Sequence, residues 1–109
     1  MIIMNIGLHR NDGGHVNIAR LMQNAMLASA TVSATVHVSD TEPTLVAHLC
    51  CDAQRAEHIA QIVCNRYAQD AVAFWDATTN KGHLVGPMAD EWGPFDPSRF
   101  LMMDGRRAA

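Results

Sequence analysis

From Ile2 to Val85 the spacing of apolar residues switches between two periods, and the order of the switches is what most limits the fold. A period of two marks a strand with one buried face; a period near ~3.6 marks a helix with one buried stripe. Met4, Ile6 and Leu8 alternate with Asn5, Gly7 and His9, so Ile2 to His9 is expected as a strand. The additional Ile3 suggests a central strand, covered more than an edge strand would be. Ile18, Leu21, Met22, Ala25 and Met26 then recur at helical spacing, which predicts a helix from about His15 to Leu27. Val32, Ala34, Val36 and Val38 alternate with Ser33, Thr35, His37 and Ser39. This strand is expected to turn its polar side to water. Thr44 to Leu49 reads as its hairpin partner, with Leu45, Ala47 and Leu49 inward.

Asp52 is placed to cap a second helix, because its carboxylate can accept from the unpaired N–H groups of a first turn. Ala56, Ile59, Ala60, Ile62, Val63 and Tyr67 form its stripe, ending near Ala68. Val72 to Trp75 and His83 to Val85 are expected as two further strands around the turn Thr78 to Gly82. From Gly86 onward, Gly86-Pro87, Gly93-Pro94 and Asp96-Pro97 interrupt any regular element.

The order strand, helix, strand, strand, helix, strand, with one more strand after it, predicts a single α+β domain spanning 1–109 with an irregular segment over 86–109. The expected fold is a two-layer sandwich of the ferredoxin-like split βαβ type, with helices on one face of an antiparallel sheet. Such a topology brings Arg10 to Gly14, Ser39 to Glu42 and Gly86 to Pro97 to one end of the sheet. A chain of 109 residues fits one domain. Eleven acids against eight bases give a net charge of −3, and Lys81 is the only lysine, so the basic stripe of a nucleic-acid binder is lacking. The RNA-recognition octamer is also missing, and Trp92, Phe95 and Phe100 fall in the irregular segment. Cys50, Cys51 and Cys64 are an odd set that argues against a disulfide framework and fits a cytoplasmic chain. The short apolar start reads on into His9-Arg10-Asn11-Asp12, unlike a signal peptide or a membrane span.

Candidate chemistry is sparse. Asp12-Gly13-Gly14 at a helix entry would suit an anion, yet the phosphate-loop and dinucleotide patterns are absent and a plain turn accounts for two glycines. His48, Cys50, Cys51, His58 and Cys64 lie close in sequence but converge poorly for zinc, so no metal or other cofactor is expected. Cys64 with His58 or His37 as base, or Asp12, His15, Asp40 and Glu42 as an acid–base group, are the catalytic options, and no local motif selects either. Asp90-Glu91-Trp92-Gly93-Pro94-Phe95-Asp96 interleaves acids with aromatic anchors of the kind interfaces use. Trp92 and Phe95 have a second reading, as side chains folded back to seal the sheet face the helices leave open. Ser33, Thr35 and His37 on that face are read either as wet or as pairing with a second copy, through the face or the sheet edge.

Three strings, Ile6-Gly7-Leu8-His9-Arg10-Asn11-Asp12, Ser39-Asp40-Thr41-Glu42-Pro43-Thr44-Leu45-Val46 and Trp92-Gly93-Pro94-Phe95-Asp96-Pro97, together resemble a group of small uncharacterised bacterial proteins associated with phages, plasmids and genomic islands. That resemblance implies a context in which small proteins bind and block host proteins, host defence complexes included. The expected function is therefore a non-enzymatic protein-interaction module, an inhibitor or accessory factor. Its expected partner surface is Arg10, Asn11, Asp12, Asp40, Thr41, Glu42, Asp90, Glu91, Trp92 and Phe95. The alternative is a small enzyme or an anion- or ligand-binding domain using Asp12-Gly13-Gly14 with Asp40 and Glu42.

Overall fold

The computed structural model describes residues 1–38 and 42–108. Strand β1 is Ile2–Gly7, and the region expected as one helix holds two short ones, α1 Ile18–Leu21 and α2 Ala25–Ala30. Strands β2 Thr31–Val38 and β3 Pro43–Leu49 follow, then helix α3 Ala53–Arg66 and strands β4 Val72–Asp76 and β5 Lys81–Val85. The segment from Gly86 holds a further helix, α4 Ala89–Trp92, and a 3-10 turn, Pro97–Arg99. The protein is thus α+β, with a five-stranded sheet in the order β2-β3-β1-β4-β5, every neighbouring pair antiparallel. No helix among the described residues is long and apolar enough to cross a membrane.

β1 is internal: Ile6 lies opposite Leu45 of β3, and Met4 lies opposite Phe74 of β4. Its residues alternate between two cores, as a period of two requires. Ile2, Met4 and Ile6 join Leu45, Ala47, Leu49, Val72 and Phe74 beneath Leu21, Leu27, Ile59, Ala60 and Val63 of the helices. On the opposite face Ile3 and Val46 pack with Phe100 and Leu101. The additional Ile3 therefore marks a strand buried from both sides, and the cover on its second side is the segment that sequence periodicity leaves shapeless.

Asn5 holds that cover in place. Its Nδ2–H donates to the Leu101 carbonyl at 2.9 Å, and the Leu101 N–H donates back to Asn5 Oδ1 at 2.8 Å. The side chain thus pairs with a distant backbone as a neighbouring strand would. Phe95 packs at a tilt between Trp75 and Phe100, with ring centroids 5.9 and 5.3 Å away. Gly82 of β5 makes room for it, since a Cβ there would collide with the Phe95 ring.

Two local expectations need correction. The helix predicted over His15 to Leu27 is broken, because Asn17 and Asn24 each cap a new first turn; their Oδ1 atoms accept from Arg20 N–H at 3.2 Å and Leu27 N–H at 3.1 Å. Ile18 consequently faces outward, 38% exposed, while Leu21 and Leu27 are fully buried. The second correction concerns β2. Its apolar row is exposed, with Val32 at 64%, Val36 at 42% and Val38 at 83%. β2 is an edge strand, and the short helices stop before they reach over it. Asp52 caps α3 as expected, accepting from Arg55 N–H at 2.8 Å. The turn predicted from Ser39 onward lies, over residues 39–41, outside the described residues.

Leu21→Ala is expected to cost ~2–5 kcal/mol in a denaturant titration, the usual loss for a large core side chain, and Ile18→Ala about 0.5 kcal/mol or less. Asn5→Ala removes two hydrogen bonds and strands the Leu101 peptide groups, at about 1–3 kcal/mol. Limited proteolysis of that variant should cut beyond Gly86 sooner than in the parent chain; equal rates would show that Asn5 does not secure the segment.

Candidate functional site

Four loops meet where β1 ends, and backbone hydrogen bonds stitch them together. The Leu8 N–H donates to the Pro43 carbonyl at 3.0 Å, which ties the exit of β1 to the start of β3. The Asn11 N–H donates to the Ala68 carbonyl at 2.8 Å, and Asn11 Nδ2 donates to Asp70 Oδ1 at 3.0 Å. Gln69, buried, donates from Nε2 to the His9 carbonyl at 2.9 Å. The Met88 N–H donates to the Asp70 carbonyl at 3.0 Å and so draws in the segment after β5. Ala68, at φ 51°, makes the sharp exit from α3 that lets Gln69 and Asp70 reach these partners.

Between these loops and the covering segment lies a cleft of about 680 Å³. Its floor is the end of the sheet face that Phe100 and Leu101 do not fill, where Asn5, Gly7, Thr44 and Ala73 present small or polar side chains. Glu42 lies across Gly7, close enough that a Cβ on Gly7 would meet its carboxylate at 2.7 Å. The lining carries charges of both signs: Arg10, Arg99 and Arg107 together with Asp70, Asp96 and Glu42. Arg107 Nη1 donates to the Arg99 carbonyl at 3.0 Å, which fixes one side of that lining. The Ser98 hydroxyl and N–H both donate to Asp96 and hold its carboxyl below the usual range. Trp92 ends α4 at the rim and is 56% exposed.

Of the expected surface, Arg10, Asn11, Glu42, Trp92 and Phe95 line this cleft. Asp12, Asp90 and Glu91 are exposed but are not among its lining. Asp40 and Thr41 lie outside the described residues. Phe95 contributes a ring that mainly seals the sheet, so the two readings of the aromatic pair divide: Trp92 stands outward and Phe95 packs inward. Gln69, Asp70, Arg99 and Arg107 carry no motif that singles them out in the sequence, and Asp96 enters there only as the end of the acidic and aromatic string from Asp90. Asp96-Pro97-Ser98 carried a usable signal, an Asp set to cap its own turn.

The Asp12-Gly13-Gly14 motif does not open a helix, since α1 begins at Ile18. It is a closed turn. The Gly14 N–H donates to Asp12 Oδ1 at 3.0 Å, and the Gly13 N–H donates to the Arg10 carbonyl at 3.1 Å. The Gly14 N–H, with Arg10 alongside at 2.8 Å, lowers the Asp12 carboxyl below its ordinary value. An anion would find these N–H groups already engaged. Cys64 is buried within α3, its thiol 3.5 Å from the Val85 carbonyl. Burial, reinforced by the charge of Asp70, pushes it up to about 11. Such a thiol is neutral at physiological pH, the opposite of an activated nucleophile. No three His, Cys, Asp or Glu side chains among the described residues cluster as a metal would need.

No family model, no curated protein and no solved structure matches the chain.

Because its pKa is raised, Cys64 is expected to resist iodoacetamide at neutral pH in the folded protein, while the exposed Cys50 reacts. Mass mapping before and after denaturation checks this, and rapid folded-state labelling of Cys64 would contradict the burial described.

Proposed function

We propose that the chain is a non-enzymatic protein-binding module whose partner docks over the cleft at the end of the sheet. The observation that carries the reading is Trp92: a large aromatic held more than half exposed at the rim of a cleft of mixed polar and apolar lining, while the neighbouring Phe95 and Phe100 are used for cover. Exposed tryptophan beside arginine is the composition of interface anchors. Arg10, Arg99 and Arg107 with Glu42, Asp70 and Asp96 supply a rim of both signs for orientation. The role of an inhibitor or accessory factor of a mobile element, acting on a host protein, is proposed on the resemblance of the three strings alone. The scaffold is read as a ferredoxin-like split βαβ with an added fifth strand. Support comes from the order β2-β3-β1-β4-β5 and from the helices that join β1 to β2 and β3 to β4.

A second reading is a small polar ligand in the cleft. Its volume of about 680 Å³ is typical of ligand sites. Arg10 Nε also lies shielded from water without a hydrogen-bond partner.

Trp92→Ala is expected to leave the melting temperature nearly unchanged, since exposed substitutions usually cost under ~0.5 kcal/mol. It should abolish capture of a specific protein from a bacterial lysate, and Asp40→Ala with Glu42→Ala should weaken that capture. A partner retained at full strength by the folded triple variant would refute the surface. A small molecule co-purifying with the parent chain and lost on Arg10→Ala would favour the second reading.

A further inference from the structure

We infer that the chain self-associates through its β2 edge, two copies pairing β2 antiparallel to β2 to extend the sheet across a two-fold axis. This surface is separate from the cleft and does not depend on its reading. An exposed strand edge offers a row of N–H and C=O groups to any strand able to pair with it. Proteins that stay monomeric blunt such edges with charge, proline or short strands. β2 carries no charge or proline and is not short; its one bulge, between Thr31 and Ser33, lies at its start, before the Ala34 to Val38 row. The strand runs eight residues, Thr31–Val38, with no Asp, Glu, Lys, Arg or Pro, and five of the eight are valine or threonine.

The register shows which groups the edge presents. The Pro43 carbonyl accepts from Leu8, so Pro43 turns its backbone toward the β1 side. Alternation then turns Thr44 and Val46 toward β2. Their partners there are His37 and Thr35. The backbone groups of Ala34, Val36 and Val38 therefore point outward. The side chains of the same residues lie on the helix face, because Ala34 stands opposite Ala47 and Val36 opposite Leu45. One row of residues thus supplies both an outward backbone ladder, unpaired among the described residues, and an exposed apolar strip.

The occupant that fits is a second copy. Any two-fold antiparallel register lays Ala34, Val36 and Val38 against the same row, apolar against apolar with no like charges opposed, and β-branched cross-strand pairs are favourable. The other edge explains why such growth stops at two. β5 is shorter, at five residues, opens with the exposed Lys81, and has the Phe95 ring packed against Gly82. With β5 guarded, β2-to-β2 pairing closes as an isologous dimer and does not run on into a filament.

Sedimentation velocity of the full chain, from low micromolar to millimolar concentration, is expected to show a shift from monomer to dimer. Val36→Lys sets charge on the strip, and Ala34→Pro removes an outward N–H that β3 does not use. Both variants should stay monomeric throughout with the dilute melting temperature unchanged. Amide exchange in the unaltered chain gives a second measure that needs no variant: protection at Ala34 and Val36 should rise with concentration, and protection along β5 should not. A chain monomeric at every concentration, a dimer undisturbed by both substitutions, or concentration-dependent protection that spares β2 would each overturn the inference.

Discussion

The paired hydrogen bonds between Asn5 and the Leu101 backbone are the constraint on which much of this molecule depends. A sheet with helices on one side has a second face to cover. Here the cover is an irregular ribbon with too few backbone partners of its own to bind by ladder hydrogen bonding. A single amide side chain in the central strand supplies the missing donor and acceptor, which satisfies a peptide that burial would otherwise leave costly. Phe100 and Leu101 on one side of that anchor fill the space over Ile3 and Val46. Where they end, the cleft begins. The anchor therefore sets both the second core and the shape of the proposed docking site.

Much of the framework was legible because two periods and one cap carried it. β1, β3 and β4, and α3 with its Asp52 cap, fall close to where alternation and helical spacing put them. Errors arose where a local polar side chain outweighed periodicity. Asn24 sits on no apolar stripe, yet its amide oxygen can end one helix and start another at little cost, so the expected long helix became two short ones. β2 forms where alternation predicts it, but its apolar row stays exposed for a different reason. Alternation says that one face is apolar, but whether anything covers that face depends on how far the neighbouring helices extend, which is a property of the whole layer.

The candidate site was half legible for related reasons. Topology was enough to bring Arg10, Asn11, Glu42 and Trp92 together, because loops at one end of an antiparallel sheet must be neighbours. It was silent on Arg99 and Arg107, whose positions follow from the Asp96 cap and the Asn5 anchor. It was also silent on which aromatic faces in: Phe95 is drawn inward by the gap above Gly82, a vacancy that appears once β5 is paired to β4.

The Asn5–Leu101 contact joins residues 96 positions apart. During synthesis the first strand emerges early, and the residues that close its second face come off the ribosome far later. Helix-side packing can begin once α3 and β4 have emerged, but Ile3 and Val46 stay open to water until Leu101 is out. Contacts of such long separation slow folding and lengthen the exposure of sticky surface. For this chain the vulnerable interval lasts until the ribbon carrying Phe95, Phe100 and Leu101 docks, and until then a chaperone, or a second copy, has access to the uncovered sheet.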